Sequence, residues 1–79
     1  MSGSDDSPIG LSGRLVIGTR GQQGPGEVEL RIRGGTETFL ARSAEPLPRG
    51  QAVIVLQTLG PRTVIVAPWA DPVESLLEL

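Results

Sequence analysis

Residues 39–68 read F-L-A-R-S-A-E-P-L-P-R-G-Q-A-V-I-V-L-Q-T-L-G-P-R-T-V-I-V-A-P, and this stretch decides the fold. Pro46 and Pro48 fix φ near about −65° and donate no ladder hydrogen bond, so the chain must turn there. Leu47-Pro48-Arg49-Gly50 suits a type I turn, with Pro second and Gly fourth. The β-branched runs on either side of Gly60-Pro61, Gln51 to Leu56 and Thr63 to Val66, have strand length and read as a hairpin. The whole stretch is a strand end, a proline-braced corner, a strand, a glycine turn and a strand.

Working back toward the N-terminus, Glu27 to Arg33 alternates cleanly, with Val28, Leu30 and Ile32 on one face and Glu27, Glu29, Arg31 and Arg33 on the other. The outer charges allow cross-strand pairs, though a solvated face is the simpler reading. Gly34-Gly35 supplies the positive φ values of a two-residue type I′ turn. The strand after it, Thr36 to Ala41, points Phe39 and Ala41 inward. Upstream, residues 9–19 form a first strand, with Leu11, Gly13, Leu15 and Ile17 on one face and Ser12, Arg14 and Val16 on the other. Gly13 marks a bulge or sharp bend. Between them, residues 18–26 (G-T-R-G-Q-Q-G-P-G) read as a flexible connection. A phosphate-binding loop would need Gly-Lys-Ser/Thr opening a helix, and here the next element is a strand.

Five short strands left as an open sheet would expose pairing edges. Closure removes them, so the predicted fold is all-β, a five-stranded OB-fold-like barrel, with an SH3-like barrel as the competitor. The 79 residues suffice for one small domain. Residues 1–8 are a polar linker or expression remnant, 9–69 the barrel, and 70–79 a C-terminal tail. In that tail Asp71, Pro72 and Glu74 have the order of an N-cap, first helical residue and capping-box partner, and Val73, Leu76 and Leu77 share a face. Such a segment must pack on something to hold a helix.

The chain has no Cys, His, Lys, Asn or Tyr; its seven basic residues are all Arg, against nine acids, for a net charge of −2. That balance argues against a phosphate-binding surface. No apolar run is long enough to span a bilayer, and residues 1–9 lack the basic start and apolar stretch of a signal peptide. Without His, Cys or Lys, only carboxylates could act as general base, and Asp5, Asp6, Glu27, Glu29 and Glu45 do not cluster. We therefore expect a non-enzyme with no catalytic residue, no cofactor and no metal site.

From Gly26 to Pro68 the sequence resembles the soluble C-terminal domain of the NfeD-like family. The resemblance is carried by Gly26-Glu27-Val28, Phe39-Leu40-Ala41-Arg42-Ser43, Glu45-Pro46-Leu47-Pro48-Arg49-Gly50, Val53-Ile54-Val55, the turn at Gly60 and Val64-x-Val66-x-Pro68. With Leu11-x-Gly13 included it covers most of the chain outside the tails. It implies an OB barrel that follows transmembrane helices in bacterial membrane proteins. Such proteins are linked to stomatin- and flotillin-like (SPFH) scaffolds and to regulation of membrane proteases. Departures are confined to three places: residues 19–25 replace a Leu-Arg-Pro segment, Phe39-Leu40-Ala41 stands where relatives often have Trp-Asp-Ala, and the spacing after Gly60 is one residue longer.

The expected function is thus that of a non-catalytic protein-interaction domain, membrane-associated only through segments absent from this chain. Its expected partners are an SPFH-type protein or a second copy of itself. The alternative is a free-standing OB module binding single-stranded nucleic acid. That alternative needs a positive groove and stacking aromatics, and the chain offers only Phe39 and Trp69. Phe39 is expected in the core and Trp69 over one end of the barrel. If Val53, Val55, Val64 and Val66 face inward, Ile54 and Ile65 face outward, as does Leu40. Leu40, Ile54, Ile65 and Trp69 are the candidate partner surface. Coverage by the tail, or burial of both faces of residues 52–56, would remove it.

Overall fold

The computed structural model describes residues 7–69. Among the described residues seven strands occur in order: β1 (Ser12–Ile17), β2 (Thr19–Arg20), β3 (Gly26–Ile32), β4 (Gly35–Arg42), β5 (Pro46–Leu47), β6 (Ala52–Thr58) and β7 (Thr63–Pro68), with a 3-10 turn over Gly21–Gln23. The five long strands close into a barrel in the order β1-β3-β4-β7-β6, an OB-like arrangement, while β2 and β5 form a separate two-stranded ribbon. All neighbouring pairs in the barrel are antiparallel except β4–β7, which is parallel and completes the ring. The expected helical tail lies outside the described residues.

Period-two alternation builds the core. Val28, Leu30 and Ile32 of β3 meet Phe39 and Ala41 of β4, Val53 and Val55 of β6, and Val64 and Val66 of β7, with Leu15 and Leu47 completing the cluster. Each fully buried Val or Leu stabilises the barrel by about 1.5–3 kcal/mol through loss of apolar hydration. Arg62 closes the rim over Phe39. Its guanidinium carbon lies 4.7 Å from the ring centroid, and it donates to Thr38 O and Glu37 Oε1.

Four local expectations need correction. The β3–β4 turn does have two residues of positive φ, but they are Arg33 (56°) and Gly34 (79°), not Gly34 and Gly35. Ile32 pairs with Gly35. Moving the turn by one residue moves the ladder by two, which leaves every side chain on its original face, so alternation cannot distinguish the two registers. The bulge of β1 falls between Leu15 and Ile17 rather than at Gly13, and it turns Ile17 out to solvent. Gly13 serves a different need: it pairs with Leu30 of β3 and Val53 of β6 at once. A Cβ there would stand 2.3 Å from Glu29 O.

The glycine-rich stretch after β1 is not a simple connection. Thr19 and Arg20 pair with Leu47 and Pro46, and Thr19 is buried. That pairing also displaces the next turn. Gln51 N–H donates to Pro48 O, so the turn runs from Pro48 to Gln51 with Gly50 at φ 89°, as in type II, rather than type I from Leu47.

Candidate functional site

The corner between β4 and β6 is fixed by hydroxyl groups. Ser43 Oγ lies 2.6 Å from Glu45 O and 2.6 Å from Thr19 Oγ1, while Leu47 N–H donates to Thr19 Oγ1 at 2.9 Å. Each hydroxyl has one proton. If the Ser43 hydroxyl donates to the Glu45 carbonyl, the Thr19 hydroxyl donates to Ser43 Oγ and accepts from Leu47. The relay is then complete, and no buried side-chain polar atom among the described residues lacks a partner. The segment from Ser43 to Leu47 is thereby held as a wall beside β7.

Between that wall and β7 lies an open groove of about 390 Å³, lined by Ser43, Ala44, Glu45 and Leu47 on one side and by Leu56, Ile65, Val66, Ala67 and Pro68 on the other. A second groove of about 310 Å³ adjoins it, sharing Ser43, Ala44 and Ile65 and adding Gly21, Gln22, Arg42 and Leu59. Leu56 is 51% exposed and Leu59 48%. The lining side chains are mostly aliphatic, so the groove suits an apolar ligand face.

The four residues expected to form a surface are only partly brought together. Ile65 is half-buried and lies between Arg42 of β4 and Gln57 of β6, in both grooves. Leu40 is 43% exposed but sits between Glu27 and Thr63. Ile54 is half-buried between Ser12 and Ala67. Neither Leu40 nor Ile54 lines these grooves, and β7 separates them. Trp69 is 42% exposed just past the groove, with its N–H donating to Ala52 O.

Leu56, Leu59, Ala44 and Leu47 were not among the expected site residues. The alternation that sends Ile54 outward sends Leu56 outward too, so that residue was within reach of the sequence. The register shift between Val55 and Gln57 leaves Leu56 unpaired on the outside. The corner residues gave no such signal, since a long-range approach brings them to β7.

Glu45 and Arg42 stand at the grooves, while the ion pairs lie elsewhere. Glu37 accepts from Arg33 at 2.9 Å and from Arg62 at 3.0 Å. The hydrogen bond from Arg33 leads in holding its carboxyl below the ordinary value of 4.5, with Arg62 helping and partial desolvation opposing. Among the described residues no group of three or more His, Cys, Asp or Glu could hold a metal ion. No helix among them is long and apolar enough to cross a membrane.

The geometry defines a small OB-type barrel whose outer face opens into an apolar groove rather than a charged or metal-binding cleft. Residues 12–67 match the family model of the NfeD C-terminal domain, and the chain belongs to that family. Among solved structures, the C-terminal domain of stomatin operon partner protein 1510-C from Pyrococcus horikoshii is similar with a TM-score of 0.63 and 29% identity, over 81% of this chain and 91% of that one. The soluble domain of the NfeD protein YuaF from Bacillus subtilis shares the fold with a TM-score of 0.70 and 24% identity, over 89% of this chain and 83% of that one. No curated protein matches the chain.

Proposed function

We propose that this domain is a non-catalytic protein-interaction module of an NfeD-like membrane protein, and that it docks a stomatin-like partner through the groove beside β7. The observation that carries this reading is the exposed aliphatic lining, with Leu56 and Leu59 each about half exposed around Ile65. Monomers seldom leave contiguous apolar patches uncovered unless something binds them. The similar domain from Pyrococcus horikoshii is named as a stomatin operon partner, which supports the choice of partner class. Membrane attachment would come from segments outside this chain, and modulation of a membrane protease would follow from scaffold recruitment. The nucleic-acid alternative gains no support: Phe39 is buried, leaving Trp69 as the one aromatic with an exposed face.

The test is binding of the purified chain to a purified stomatin-like protein, measured by calorimetry. Wild type is expected to bind, and the double change Leu56→Asp with Leu59→Asp to abolish binding with little change in melting temperature. A wild-type chain that does not bind, or binding that survives the double change, overturns the reading.

A further inference from the structure

We infer that two copies of this chain associate face to face across the outer wall of β1, β3 and β4, with Leu40 at the centre and Glu27 of each copy paired to Arg42 of the other. The contact is separate from the docking of a partner beside β7 and goes beyond that reading.

The bulge in β1 places the first part of the surface. It turns Ile17 out of the core, 51% exposed and directly opposite Glu27 of β3. Glu27 in turn stands opposite Leu40 of β4, which is 43% exposed. The register therefore sets a carboxylate between two large apolar side chains on the outside of the barrel.

That carboxylate has no partner within the chain. Glu27 is half-buried, yet it makes no hydrogen bond or ion pair among the described residues. A charged group that loses hydration without gaining a partner is disfavoured. Glu37, farther along β4, shows the satisfied case, held by Arg33 and Arg62 together. Arg42 lies two residues beyond Leu40, is exposed, and likewise has no ion pair among the described residues. An unpaired acid and an unpaired base thus lie on either side of Leu40.

Their placement is self-complementary. As its cross-strand neighbour, Glu27 lies about 5 Å from Leu40, and Arg42 follows at about 7 Å along the strand. Leu40 is therefore close to equidistant from the two charges. A two-fold axis lying in the contact plane and passing Leu40 brings Glu27 of one copy over Arg42 of the other, and the reverse. Leu40 meets Leu40 between the two pairs. Such an isologous contact gives each charge the opposite charge it lacks. This complementarity selects a second copy as the occupant, since one surface supplies both halves of both pairs. A contact of a few residues on each side falls below about 1,200 Å² in total, where association is weak and reversible.

Sedimentation equilibrium on the purified chain, followed from about 10 μM to about 1 mM, provides the test in the range of a weak contact. The wild-type mass is expected to rise toward that of a dimer, and less so at high salt. Glu27→Arg alone and Arg42→Glu alone each replace two ion pairs by two like-charge contacts, and each should weaken association more than about tenfold. The swap Glu27→Arg/Arg42→Glu should restore it. An equimolar mixture of the two single variants should form a dimer that neither forms by itself. Leu40→Ser, which alters no charge and sits at an exposed position, should also weaken association, and it keeps the test valid should a charge reversal lower the melting temperature. Leu56→Asp should associate as wild type does. A wild-type chain that stays monomeric throughout, association unchanged in Leu40→Ser, or a mixture of folded single variants that does not associate would each overturn the inference. So would association lost in Leu56→Asp, because the contact would then lie in the groove.

Discussion

The barrel contains two antiparallel hairpins, β3–β4 and β6–β7, that bury the same kind of residue and present opposite exteriors. Inward, Val28, Leu30 and Ile32 with Phe39 correspond to Val53 and Val55 with Val64 and Val66. Outward, β3–β4 shows Glu29, Arg31, Thr36 and Thr38 along an unbroken register from Gly26↔Ala41 to Ile32↔Gly35. The outer side of β6–β7 shows Ile54, Leu56, Ile65 and Ala67, and its register slips at Leu56. Inward burial supplies stability in both, so the exteriors were free to diverge. The first hairpin is a solvated scaffold wall, and the second is the wall on which something can dock. On the function proposed above, fold and function are carried by opposite faces of the same strands.

The comparison breaks most severely where the two hairpins are joined. Gly13 bridges Leu30 of one and Val53 of the other, with no room for a Cβ. Gly13→Ala is expected to cost about 1–3 kcal/mol or more, because backbone rather than a flexible side chain must yield. Each kcal/mol lowers the melting temperature by about 4–8 °C in a domain this small. An unchanged melting curve would mean that β1 does not seal the two hairpins.

A second experiment addresses the corner that gives the β6–β7 face its groove. Thr19→Val removes the acceptor for Leu47 N–H and the hydroxyl partner of Ser43. Buried polar groups left unpaired cost about 1–3 kcal/mol. Stability should fall accordingly, with faster amide exchange at Leu47 and slow exchange retained in β3. Uniform behaviour of both regions would count against a separately held wall.

The turn of the scaffold hairpin is sharpened by a pair of changes. Gly34→Val forces a β-branched residue to φ 79°, at an expected cost of about 1–3 kcal/mol. Gly35→Val meets open space at a φ outside the left-handed region and should stay within about 0.5 kcal/mol. Equal effects in denaturant melts would place the turn one residue later.

The smallest effect is electrostatic and belongs to the scaffold rim. Because Glu37 titrates below its unfolded value of 4.5, its contribution is present above pH 4.5 and disappears as pH falls through the lower folded value. Wild type should lose a little stability in that window. Glu37→Gln should show a shallower acid limb there, seen as a smaller drop in melting temperature, and parallel limbs would show that the Arg33 and Arg62 contacts do not persist in solution.

Where the five long strands run and, Ile17 apart, which of their side chains face the core was legible in the sequence, because period two and β-branching act locally. Val28, Leu30, Ile32, Phe39, Ala41, Val53, Val55, Val64 and Val66 are all buried as the alternation requires. The two prolines and Gly60 placed the breaks for the same reason. What alternation cannot fix is register, since a shift of two residues preserves every face. The turn at Arg33-Gly34, the bulges beyond Leu15 and Val55, and the capture of Leu47 by Thr19 all depended on how the ring closes. The groove belongs wholly to this second class. Its walls come from residues 43–47 and 56–68, and only the parallel pairing of β4 with β7, together with the hydroxyl-tied corner, sets them side by side.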